Sequence, residues 1–151
     1  MSFYSAQRNH DFMRECHRQR EKAFDEGRKL LTNEIIAHAI NSTAPAYYVD
    51  HGYALRYVSL YNRNKLKIKN KKGARYEMLQ ELSEKCQQLM AKQPGLSLNH
   101  ALARVLTEGN ASRYFITFHT ARRLYFEIGR QIHRRSKRDR TESRSLSRKL
   151  F

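Results

Sequence analysis

APAYYVDHGYALRYV, residues 44–58, returns 67 positions later as ASRYFITFHTARRLY, residues 111–125. Ala44, Tyr47, Ala54 and Arg56 fall on Ala111, Tyr114, Ala121 and Arg123, while Tyr48 and Val49 meet Phe115 and Ile116. Asp50 meets Thr117, and both are types whose side-chain oxygen caps the exposed N–H groups of a helix start. Each copy therefore predicts an aromatic turn followed by a capped helix. Upstream, a shift of 66 brings Ile36, Ala37, Ala39 and Ile40 onto Leu102, Ala103, Val105 and Leu106, which implies one inserted residue in the second turn. The order long helix, short helix, aromatic turn, capped helix thus occurs twice, as in a tandem repeat. Small-residue helices joined by capped turns also resemble one another without duplication.

Working outward, the marks of further helices line up on both sides. From Ser5 to about Phe24 the chain is polar, with Phe12, Met13, Cys16, Ala23 and Phe24 as apolar marks of a long, mostly exposed first helix, and Gly27 is a candidate interruption. Thr32 or Asn33 can cap a second helix whose Ile35, Ile36, Ala39 and Ile40 share a face. Pro45 lacks an amide donor and keeps Ala44 out of the helical region, so the chain turns there. The Asp50-capped third helix runs to about Tyr61, and a fourth runs from about Ala74 to Lys92, ended by Pro94 and Gly95. Ser97 caps a fifth, closed by Gly109. Thr117 caps a sixth, predicted from Phe118 to about Arg135. The expectation is an all-α fold of two related, helix-turn-helix-like three-helix units in one compact body. They cover 1–61 and 76–135, with a basic connecting loop at 62–75 and a basic flexible tail at 136–151.

The 151 residues carry 30 Lys and Arg against 14 Asp and Glu, a net charge of +16. That charge is concentrated. NRNKLKIKNKKGAR at 62–75 and the segment 130–151 contribute fourteen of the sixteen net charges. Such runs either solvate a flexible segment or dock on a polyanion. Docking by the first run would use Arg63, Lys65, Lys67, Lys69, Lys71, Lys72 and Arg75; docking by the second would use Arg130, Arg134, Arg135, Lys137, Arg138 and Arg140. Within the first, KLKIK alternates like a strand, Leu66 and Ile68 on one side and the lysines on the other. No second strand follows it before Gly73, so an irregular loop ordered by its ligand is equally open.

A helix-turn-helix enters the major groove with its second helix. By that analogy His51, Tyr53 and Arg56 of the third helix, and His119, Arg122 and Arg123 of the sixth, would approach bases or phosphates. The turns here are longer than the three or four residues that motif uses. Tyr47, Tyr48, Tyr114 and Phe115 could stack on unpaired bases, but their neighbours Val49 and Ile116 favour buried plugs between helices. Cys16 and Cys86 form neither a disulfide framework nor a metal-ligand spacing, so they are expected as reduced, partly buried thiols. There is no Gly-rich phosphate loop, HExxH or CxxC, and no metal or cofactor is expected. His119 and Arg122 have the HxxR spacing of tyrosine recombinases, a two-residue pattern that occurs often by chance. A non-enzymatic protein is expected.

The segment APAYYVD with ALRYV resembles a pattern in small basic proteins of Bacteroidales bacteria, their phages and mobile elements. The resemblance implies a phage or mobile-element setting and no activity. The expected partner is nucleic acid, DNA or RNA, with a protein partner or self-association also open. The expected role is a regulatory or accessory one; the alternative is an assembly subunit of a ribonucleoprotein or phage particle. No run is apolar enough to span a membrane, and the N-terminus lacks the stretch of a secretory signal. A cytoplasmic, nucleoid- or virion-associated location is expected.

Overall fold

In a computed structural model that describes residues 3–68 and 73–149, the chain is all-α. Its helices are α1 (Phe3–Asp25), α2 (Thr32–Ile40), α3 (His51–Asn62), α4 (Ala74–Lys92), α5 (Leu98–Glu108) and α6 (Phe118–Lys149). Three starts carry the capping oxygens the sequence predicts. The Asp50 carboxylate accepts from the Tyr53 N–H at 3.1 Å, and the Ser97 and Thr117 hydroxyls accept from the His100 and Thr120 N–H groups, each at 3.2 Å. Gly27, at φ +68, closes α1: its N–H bonds the Phe24 carbonyl and the Arg28 N–H reaches back to Ala23, satisfying carbonyls the helix leaves open. Asn64, at φ +57, closes α3 in the same way through bonds to Tyr61 and from Lys65 to Leu60.

Two boundaries differ from the sequence reading. Thr32 and Asn33 lie inside α2 and do not cap it; Leu31 precedes the helix, its N–H bonded to the first-turn Glu34 carboxylate at 3.4 Å. The second difference is larger. α6 does not end near Arg135 but continues through Lys149, so 136–149 is helical. The reason is propensity: Arg and Lys are good helix formers, nothing from Arg130 onward is Gly or Pro, and Arg138 pairs with Glu142 one turn on at 3.1 Å.

Packing crosses the two halves of the chain. α1 packs on α2 and α4 on α5, but α3 packs on α4 and α5, and α6 packs on α2. Phe12, Ile36, Val58, Leu79, Leu82 and Leu102 are fully buried, and so are Ala54 and Ala121, as their alignment requires. Free Cys16 and Cys86 lie in the same core. Between the halves, Ala44 and Ala111 exchange backbone hydrogen bonds in an antiparallel bridge, 3.0 Å one way and 2.9 Å the other.

Beside the bridge the aromatic turns interleave. Tyr47 stacks on Phe115 and Tyr48 on Tyr114, both at 6.2 Å between centroids. Shifting either pair by 67 positions gives the other. Phe12 meets the Tyr114 edge at 5.6 Å, and the Tyr48 hydroxyl donates to Asp11 at 2.6 Å. That bond and stack hold Tyr48 at φ +57, a conformation costly for an aromatic residue. Tyr47 and Tyr114 are buried in the core and Tyr48 and Phe115 pack half-buried against it, so the rings plug the fold, as the sequence reading favours over base stacking.

Candidate nucleic-acid interface

One cluster of cations forms where α3 meets the basic segment. Arg56 is exposed on α3, and two turns later Arg63 folds its guanidinium onto the Ser59 carbonyl and hydroxyl. The Asn64 turn then sets the alternation that the sequence implies: Leu66 and Ile68 pack partly against the core while Lys65 and Lys67 face out. The backbone there is irregular, not a strand. Arg75 belongs to the first turn of α4 rather than to the loop. Its guanidinium lies over the rings of Tyr53 at 5.0 Å and Tyr57 at 4.5 Å, and Arg56 lies over Tyr57 at 5.6 Å. Tyr57 thus holds two guanidiniums near each other, offsetting with its π face part of their repulsion. Lys69, Lys71 and Lys72 lie outside the described residues.

The second cluster is α6 itself. At about 100° per residue, Arg122, Arg123, Arg130, Arg134, Lys137, Arg138 and Arg140 fall on one half of its circumference. Buried Ala121 and Leu124 define the other half, which continues as Ile128 and Ile132 over a cleft of about 1220 Å³ facing α1. Arg135 lies on that side, away from the other predicted contacts. Arg122 is anchored by Asn33 of α2 at 3.4 Å and by the Phe126 ring at 4.9 Å.

Two early helix positions are engaged in the fold and not offered to a ligand. His51 is half-buried with its Nε2 at 3.3 Å from the Asn99 carbonyl oxygen, and Tyr53 lies under Arg75. His119, Arg122 and Arg123 are exposed as the sequence reading has them. It omits Arg144, Arg148 and Lys149 from the contacts. They extend the same face of α6, and the signal for them was the four-residue step from Arg140 through Arg144 to Arg148.

Several carboxylates are occupied elsewhere. Glu15 pairs with Arg18 at 2.7 Å and is held below the usual carboxylate range by that bond; Glu21 pairs with His17, Asp11 with His10, Glu26 with Arg28, and Glu77 with Arg113. Of the predicted contact residues that are described, Arg138 is the one whose charge meets a carboxylate, that of Glu142. The rest keep an uncompensated positive charge at the surface.

Comparison with models of protein families, with curated proteins and with solved structures finds no match to this chain. The interface therefore rests on its own geometry. Among the described residues no group of three or more His, Cys, Asp or Glu could hold a metal ion, and no helix is long and apolar enough to cross a membrane.

Proposed function

We propose that this protein binds nucleic acid without catalysing a reaction, as a regulatory or accessory factor of a phage or mobile element. One observation carries the reading. Among the described residues the predicted contact cations stand at the surface and only Arg138 meets a carboxylate, while Glu15, Glu26 and Glu77 pair with other arginines. Surface charge left in that state repels itself and is relieved when phosphates replace the missing carboxylates.

The same proposal includes the internal repeat. Two copies of a three-helix unit would exchange their third helices, α3 joining α4 and α5 while α6 joins α2. The reciprocal bridge of Ala44 with Ala111 and the two mutually shifted ring stacks support a two-fold relation between copies.

The test is the salt dependence of binding to a labelled duplex. If about six or more phosphates are neutralised, log affinity falls against log salt with a slope of roughly −5 or steeper. A slope near zero overturns the reading. Scrambling the probe separates a regulator, which loses affinity, from an assembly subunit, which does not.

A further inference from the structure

We infer that the outer part of α6 is a duplex-DNA rod: one uninterrupted helix that lies along the major groove with its single cationic face on the phosphates. The inference rests on the nucleic-acid reading above and narrows its ligand. α6 has 32 residues, which makes it about 48 Å long, and from Gly129 through Lys149 every residue is exposed. Over this span Arg130, Arg134, Lys137, Arg138, Arg140, Arg144, Arg148 and Lys149 share one half of the circumference. The other half carries Ile132, Ser136, Asp139, Glu142, Ser143 and Leu146, with Arg135 the exception.

Nothing within the helix explains this sorting. Arg130 with Arg134, Arg134 with Arg138, Arg140 with Arg144 and Arg144 with Arg148 are like charges one turn apart, which destabilise an isolated helix. Among the described residues, Arg138–Glu142 is the one ion pair along the rod. An external row of anions offsets what the helix itself does not.

The shape of the rod selects among nucleic acids. No Phe, Tyr or Trp occurs from Glu127 to Lys149, so the rod has no platform on which unpaired bases stack. An uninterrupted helix also matches a stiff duplex better than a flexible strand. The major groove of B-DNA, about 12 Å wide, admits an α-helix about 10–12 Å across, whereas that of duplex RNA is too narrow for side-chain access.

The decisive variant scatters the stripe at constant composition: Arg134→Ser with Ser136→Arg, and Arg144→Ser with Ser143→Arg. The full-length protein is titrated at fixed ionic strength against a DNA duplex of about three helical turns, the matching RNA duplex and the DNA single strand. Wild type is expected to prefer duplex DNA, and the scattered variant to lose about tenfold on it while keeping its helical circular dichroism. Equal affinity of the two proteins for duplex DNA overturns the inference, as does a wild-type preference for RNA or for the single strand. Should the scattered variant lose helicity, Arg134→Gln and Arg135→Gln decide: the first weakens duplex binding severalfold more than the second, whereas equal losses overturn the inference. Failure of the wild type to bind any of the three probes overturns the nucleic-acid reading itself, a result distinct from the others.

Discussion

Ala54 and Ala121 have no exposed surface, and each sits on the buried face of a capped helix. Leu at either position must push neighbouring side chains off their rotamers or shift the helix, at a cost of about 1–3 kcal/mol. Urea unfolding of Ala54→Leu and Ala121→Leu should show similar losses. A neutral effect at one of them would mean that the two sites are not packed alike. Titration makes a second demand on single residues. Burial raises the Tyr114 hydroxyl to about 12 and the Cys16 and Cys86 thiols to about 12 and about 11. It raises Tyr47 and Tyr48 further, with Glu81 and Asp11 adding to the effect. Unfolded Tyr and Cys lose their protons near 10 and 8.5. The folded chain therefore holds more protons than the unfolded one at alkaline pH, so stability is full below about pH 8.5 and falls as pH rises towards 12. Tyrosinate absorbance should rise in two stages, the later one coinciding with loss of helical circular dichroism. One stage near pH 10 with the helices intact would show that these hydroxyls reach solvent.

At the scale of elements, α6 divides into a packed part and an unpacked part. Removing residues 136–151 takes away no described residue that is buried, so the melting temperature should stay within a degree or two while duplex binding weakens. A large drop in melting temperature would show that this segment packs. Arg56 and Arg123, both exposed, should each tolerate Ala with less than about 0.5 kcal/mol of stability change. If they touch phosphates, the double variant binds more weakly on every probe and with a shallower salt slope. Unchanged binding on every probe would assign both arginines to the solvated surface. The helix starts at Asp50, Ser97 and Thr117 were legible because a capping oxygen is a local signal, and so were the stops at Gly27 and at Pro94 with Gly95. The length of α6 was not. A polar, Arg-rich stretch without apolar periodicity reads as a tail, although nothing in it breaks a helix. The cationic face was half legible for the same reason: its charges were visible, but their alignment appears only once the segment is helical.

For the whole molecule, the crossing of α3 and α6 predicts a single unfolding transition. Neither half keeps a complete set of helix partners when the other unfolds, because α3 packs on α4 and α5 and α6 packs on α2. Circular dichroism and tyrosine fluorescence should give coincident urea curves. Two separated transitions would show halves that stand alone. The crossing was hidden in the sequence because α3 follows a turn and carries only a short apolar face, and no local rule chooses its partner. Packing between the halves decides it, through long-range contacts such as His51 with the Asn99 carbonyl at 3.3 Å and Arg122 with Asn33 at 3.4 Å. The bridge between Ala44 and Ala111 carries a further consequence. Residues directly opposite in such a pair stand side by side on one face, and both of these are wholly enclosed. A larger side chain at one meets its counterpart, so the room at either position is set by what stands at the other.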